Sequence, residues 1–181
     1  MIQDNYGNKR WYKEGKFHRE DGPAIEYADG EKQWYKEGKR HRKDGPAVEN
    51  SLYVEWYKEG KCHREDGPAI EYAYGTKEWY KEGKRHREDG PAIEYANGRK
   101  DWYKEGILHR EDGPAVELAD GEKHWYKEGK FHREDGPAIE YADGRKEYWK
   151  NDRKWSESEL RKIGLCYNRC KKCNREYIKR L

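Results

Sequence analysis

Six short runs in this chain carry residue types that could do chemistry: His18-Arg19-Glu20-Asp21 and its counterparts beginning at His41, His63, His86, His109 and His132. An imidazole beside carboxylates can move protons or hold a cation. Repetition argues against both uses. A catalytic centre is one constellation of different groups converging on a pocket, whereas identical groups at every period more simply close the same turn each time. No Ser-centred elbow, phosphate loop or HExxH stretch accompanies them. We expect no catalytic residue, no enzyme activity and no cofactor.

Cys166, Cys170 and Cys173 have a C-x3-C-x2-C spacing that gathers three thiols near one face of a helix, where a metal or cluster could bind. They are the metal candidates. Cys62 lies far away in the sequence, so a four-ligand zinc site would need another group or a second chain. Reduced, buried thiols are the expected state and no metal is expected.

The elements that must position these residues are repeats. Trp-Tyr recurs at Trp11, Trp34, Trp56, Trp79, Trp102 and Trp125, in steps of 23, 22, 23, 23 and 23 residues. Such a period means an array in which each unit buries its apolar surface against its neighbours. With 33% hydrophobic and 43% charged residues the composition leans toward disorder, but 16 Tyr and 8 Trp supply apolar area on amphipathic bodies. Residues 1–150 carry 30 Lys/Arg against 33 Asp/Glu, and residues 151–181 carry 10 against 4. A near-neutral array offers no stripe of positive potential, whereas the basic tail, with Lys171, Lys172, Arg175, Lys179 and Arg180, could meet nucleic acid or an acidic partner. No apolar run approaches the roughly 20 residues that span a membrane, and Met1-Ile2-Gln3-Asp4 does not open a signal peptide. An intracellular setting is expected.

Within a unit, Pro-Ala-Ile-Glu-Tyr-Ala reads as a strand, Asp-Gly as a turn and the run to Trp-Tyr-Lys as the returning strand. Glu-Gly marks a second turn, Lys-x-His-Arg a third extended piece, and Glu-Asp-Gly-Pro closes the unit. Two registers compete. A two-residue Asp29-Gly30 loop pairs Ile25 with Trp34, whereas a three-residue loop with a Gly bulge pairs Ile25 with Gln33. The first is the preferred reading. It puts Ile25, Tyr27, Trp34 and His41 on one face and Glu26, Gln33, Tyr35 and Arg40 on the other.

The copies differ most at the residue before His, which is Phe17, Arg40, Cys62, Arg85, Leu108 and Phe131 in turn. The residue before Trp varies similarly: Arg10, Gln33, Glu55, Glu78, Asp101 and His124. If the array recognises something, binding would fall at the first set, Phe17 to Phe131, since constant positions are occupied with packing. Drift on a solvated surface is the commoner origin of such scatter. The third copy, Val48 to Trp56, is one residue shorter and lacks the turn Gly, which suggests a bulge or bend. It also carries the most apolar patch of the array, Leu52-Tyr53-Val54.

At the ends, residues 1–10 read as a polar partial unit that caps the array, and Tyr148 to Trp155 as a degenerate seventh hairpin with Asn-Asp in place of Glu-Gly. Ser156 and Glu159 form a capping box. A helix should follow over residues 156–181, its stripe of Leu160, Ile163, Tyr167, Cys170, Tyr177 and Leu181 covering the open end and Gly164 kinking it.

The unit Trp-Tyr-x-x-Gly-Lys-x-His-Arg-x-Asp-Gly-Pro-Ala followed by Tyr-Ala-Asp-Gly resembles MORN-type repeats, most closely the His-Arg-x-Asp-Gly-Pro-Ala variants of giant viruses and bacteriophages. The resemblance covers residues 2–155. It departs where Arg-x-Asp-Gly-Pro follows His, a place where that family has Gly-x-Gly. The resemblance implies one β-hairpin per repeat and an elongated scaffold for protein contacts; the phospholipid binding proposed for MORN proteins transfers poorly to a near-neutral array. The expected fold is an all-β repeat array of 23-residue hairpin units with a short C-terminal helical cap. The expected function is a non-enzymatic interaction or scaffold module, viral or phage in origin, in a host cytoplasm or virion. The alternative is a ligand or nucleic-acid binder using the basic tail and the variable positions. A protein partner and self-association are expected of an open array.

Overall fold

In a computed structural model of the chain, which describes residues 1–162, every regular element before residue 157 is a short β-strand. The fold is an antiparallel array of hairpins with one short helix, Glu157–Lys162. Two compact units are present, Met1–Ile107 and Leu108–Leu181.

Each repeat contributes two hairpins of different construction. The first belongs to a continuous ladder, which in the first unit runs through Ile2–Gln3, Lys9–Arg10, Ile25–Glu26, Lys32–Gln33, Val48–Glu49, Tyr53–Glu55, Ile70–Tyr72, Lys77–Glu78, Ile93–Glu94 and Lys100–Asp101. In the second unit Val116–Glu117, Lys123–His124, Ile139–Glu140 and Lys146–Glu147 pair in the same way. The second hairpin stands apart as a two-stranded piece, such as Tyr35–Lys36 with Lys39–Arg40. Its turn takes positive φ at both central residues, Glu37 at 52° and Gly38 at 80°. That is the type I′ geometry whose twist matches the flanking strands.

The ladder hairpin corrects the preferred register. Ile25 pairs with Gln33 and Glu26 with Lys32, not Ile25 with Trp34. The cause is the turn: the Gly30 N–H donates to Tyr27 O at 3.0 Å and the Tyr27 N–H to Glu31 O at 2.9 Å, with Gly30 at φ 96°. This is a three-residue loop closed by a Gly bulge, and the Asp29 carboxylate secures it by accepting the Glu31 N–H at 3.1 Å. A slip of one residue moves the whole returning strand to the other face. Ile25, Gln33 and Val48 consequently share the buried face, where Trp34 was expected, and Glu26 and Lys32 face outward. Trp34 sits at the corner between the two hairpins, its N–H donating to Ala47 O at 2.8 Å and its carbonyl accepting the His41 N–H at 3.1 Å.

The shortened third copy keeps this register by losing the bulge. Val54 pairs with Glu49 and Glu55 with Val48 across a two-residue turn. Asn50 closes it: its Oδ1 accepts the N–H groups of Leu52 and Tyr53 at 2.8 and 2.9 Å. No positive φ is needed there, so the missing Gly costs nothing.

The core is a file of Ala and Ile/Val pairs. Ala24, Ala47, Ala69 and Ala92 have no exposure in the first unit and Ala115 and Ala138 none in the second, each followed by a buried Ile or Val. At the C-terminal end Trp149–Lys150 pairs with Arg153–Lys154, and the capping box forms as Ser156 N–H donates to Glu159 Oε2 at 2.8 Å and Glu159 N–H to Ser156 Oγ at 3.3 Å. Leu160 is the buried contact of the helix. The expected continuation past Lys162 lies outside the described residues.

Glu14 holds φ 51° in the first type I′ turn without an ion pair among the described residues. Asn tolerates that conformation better, so Glu14→Asn should stabilise the chain by about 0.5–1 kcal/mol in chemical denaturation.

Candidate functional site

The residues that looked chemically capable converge on a clamp. Arg64 sits over the Trp56 ring, with Cζ 4.1 Å from the centroid. Its Nε donates to Asp66 Oδ1 at 3.0 Å, and its Nη1 to Pro68 O at 3.2 Å and Glu71 Oε1 at 2.9 Å. Beneath the guanidinium is Gly67, where a Cβ would stand 2.9 Å from Arg64 Cζ. This glycine is required by space and not by φ. Arg19 over Trp11, Arg42 over Trp34, Arg87 over Trp79 and Arg133 over Trp125 repeat the stacking at 3.9–4.1 Å. The hydrogen bond from Arg64 comes first among the causes that lower the Asp66 carboxyl below its ordinary range.

The histidines are equally committed. Glu37 N–H donates to His18 Nδ1 at 3.2 Å, and Glu82 N–H to His63 Nδ1 at 3.1 Å. Each imidazole thereby supports the positive-φ turn of the following repeat. With Nδ1 accepting, the ring proton belongs on Nε2, which is buried in His18, His63, His86 and His109; the His132 Nδ1 instead meets Asn151 Oδ1 at 2.7 Å and donates to it. The lone pair that a general base would use is occupied. Among the described residues no cluster of three or more His, Cys, Asp or Glu side chains could hold a metal.

Successive loops border open grooves. In the first unit His63–Pro68 and His86–Asp89 flank a groove of about 880 Å³ with Trp79 in its lining. In the second, Arg110–Gly113 and His132–Asp135 flank one of about 600 Å³ against Trp125. The Arg side chains lie low in the clamps, while Glu65, Asp66, Glu88 and Asp89 are 78–85% exposed. The rim that reaches solvent is acidic.

The candidate binding positions before His sit inside the protein's own aromatic seam. Phe17 packs between Tyr12 and Tyr35 at 4.7 and 5.3 Å, and Phe131 between Tyr126 and Trp149 at 4.3 and 5.6 Å. Arg40 donates to the Tyr35 and Tyr57 hydroxyls at 3.3 Å each, and Arg85 lies between the Tyr80 and Tyr103 rings at 5.8 and 5.6 Å. Cys62 and Leu108 are half-buried. The second variable set joins them: Glu78 accepts from Arg85 Nε at 3.0 Å, Glu55 lies 3.7 Å from Arg40, and the His124 ring is 5.8 Å from Phe131. Asp101, 1% exposed, instead takes both Arg99 Nε and Nη2 at 2.7 and 2.9 Å. Two of these contacts are ion pairs, Arg40 with Glu55 of the next copy and Arg85 with Glu78 of its own. Sequence reading missed this because the register put Gln33 and Ile25 on opposite faces; the opposite charges of Glu78 and Arg85, seven residues apart in one copy, were a signal that could have shown it.

Cys62 is not a poised nucleophile. Burial first, and then the Glu55 and Glu78 carboxylates, push its thiol up to about 12. Cys166, Cys170 and Cys173, with the basic tail, lie outside the described residues.

Two outcomes follow from the clamp and the seam. Gly67→Ala should cost about 1–3 kcal/mol by displacing the Arg64 guanidinium, and in an Arg64→Met background the added cost should fall below about 0.5 kcal/mol, as a double-mutant denaturation cycle will read. Native Cys62 should resist iodoacetamide at pH 8 and react once the chain is unfolded, followed by mass spectrometry of its peptide.

No protein-family model matches the chain, and no curated protein matches it significantly.

Proposed function

We propose that this chain is a non-enzymatic scaffold of MORN-like hairpin repeats whose outer loops contact other proteins. One observation carries the reading: the His, Arg and Asp of the repeat, which could have done chemistry, hold the fold together in copy after copy. What remains outward is a repeated groove with an exposed acidic rim. Repetition of one weak surface favours avidity over turnover. Among the described residues no helix is long and apolar enough to cross a membrane. By the resemblance of its unit, the setting we propose is a virion or the interior of its host.

The rim touches the clamp histidines only at long range, Glu65 and Glu88 lying 3.5 and 3.7 Å from the Nε2 atoms of His63 and His86. Glu65 and Glu88 are exposed and their Lys58 and Lys81 pairs span 3.4 and 3.8 Å, so their loss should cost little stability. A Glu65→Lys/Glu88→Lys variant should keep its thermal midpoint and lose the partner that the wild-type chain retains in affinity capture from its native source. Equal capture by both chains, or turnover by the purified chain on any substrate, would sink the reading.

A further inference from the structure

The second copy inverts a charge that its siblings keep. Between the clamp Arg and the Asp, the other loops carry Glu20, Glu65, Glu88, Glu111 and Glu134, and this one carries Lys43. The sibling carboxylate has a definite place. In the third copy a single oxygen, Glu65 Oε1, lies 3.4 Å from Lys58 Nζ and 3.5 Å from His63 Nε2. In the fourth, Glu88 Oε1 lies 3.8 Å from Lys81 Nζ and 3.7 Å from His86 Nε2. His63 first and Lys58 next hold the Glu65 carboxyl below its ordinary range. Each of these two loops thus carries its own anion, between a strand lysine and the Nε2 proton of the loop histidine.

In the second copy the donors remain and their internal carboxylate is replaced by a cation. Lys36 holds the position of Lys58, and His41 Nδ1 accepts the Glu59 N–H at 3.2 Å, which leaves the ring proton on Nε2. The Glu59 carboxylate meets that same Nδ1 at 3.0 Å and Lys39 at 4.0 Å. Among the described residues no carboxylate lies within ion-pair distance of His41 Nε2, Lys36 or Lys43. Both lysines are exposed. Nε2 is buried in the other five loop histidines, whereas the His41 side chain is 24% exposed. The bond from Arg Nε to Asp, 2.8–3.1 Å in the siblings, is also missing: Arg42 keeps its bonds to Pro46 O and Glu49 and makes none to Asp44. Lys36, Arg42, Lys43 and Asp44 carry a net +2, where Lys58, Arg64, Glu65 and Asp66 balance.

We propose that this loop binds a carboxylate of an acidic protein segment, which takes the place of the sibling Glu and is held by Lys36, Lys43 and the His41 Nε2 proton. The chemistry of the occupant is read from the siblings, because what stands at that place in the third and fourth copies is a carboxylate oxygen. Lysine in place of glutamate removes the internal competitor and adds a third donor. The loop borders neither of the acidic-rimmed grooves described above, so the site is independent of the rim.

The test follows the loop histidines individually, by NMR of their ring protons in the full chain near neutral pH as a hexaglutamate peptide is added. The His41 signals should shift saturably while those of His63 and His86 stay in place, and the response should fade as salt rises. Lys43→Glu installs the residue of the five siblings, so it should keep the thermal midpoint and weaken the peptide's effect at His41 by about fivefold or more; Lys36→Gln should weaken it by about threefold. The converse change, Glu65→Lys, should make His63 respond as His41 does. A silent His41 in the wild-type chain, or an undiminished response in Lys43→Glu, would overturn the proposal. A tighter response to inorganic phosphate or to an oligothymidylate than to the peptide would overturn it as well, since the site would then be one for phosphate.

Discussion

The repeats depend on seating one guanidinium between an indole face and a glycine, as Arg19, Arg42, Arg64, Arg87 and Arg133 are seated. An Arg taken out of water must recover its hydration through good geometry, and the loop His-Arg-x-Asp-Gly-Pro is built to provide it. In the third copy Trp56 supplies the ring face, Asp66 and Glu71 supply carboxylate oxygens, and Pro68 supplies a carbonyl. Gly67 supplies space. Five residue types at fixed spacings thus answer to a single planar cation. A Lys could not replace it, because an ammonium neither lies flat on a ring nor reaches three acceptors in one plane. The clamp also explains how a chain of mean hydropathy −1.59 folds: polar groups are organised around aromatic faces, and the purely apolar core shrinks to pairs of Ala with Ile or Val.

The clamp orders a repeat; other contacts tie it to the next. Gly38 N–H donates to Phe17 O and Glu37 N–H to His18 Nδ1, both reaching between successive copies. The last of these holds a Glu in positive φ, a conformation that costs an L-residue energy when isolated. A histidine in one copy therefore stabilises the least favourable turn of its successor. Nearest-neighbour dependence of this kind is what makes a repeat array cooperative although no residue reaches far.

Much of this was legible in the sequence, and what was not has a definite cause. The period, the Glu-Gly turns, the closing Asp-Gly-Pro and the Ser156–Glu159 box are local signals, and local geometry decides them. The ladder register was not local. Asp29-Gly30 suits a two-residue turn and equally a three-residue one with Gly30 as the bulge, and the pairing of Gln33 with both Ile25 and Val48 goes with the second. That one-residue difference carried the residue before Trp from the outer face to the inner one. The third copy held the missing clue. Losing one residue and the Gly together, with the register intact, is what removing a Gly bulge does.

The same correction changes what variation among copies means. Some positions that scatter in type meet within the seam, as Arg40 meets Glu55 and Arg85 meets Glu78. Positions that hold constant, such as His63 and Arg64, are consumed by the clamp and the turn it supports. Information about function must sit where a residue departs from its siblings without a neighbour to compensate it. In a repeat protein the copies serve as one another's controls, and an uncompensated exception carries more functional weight than any feature they share.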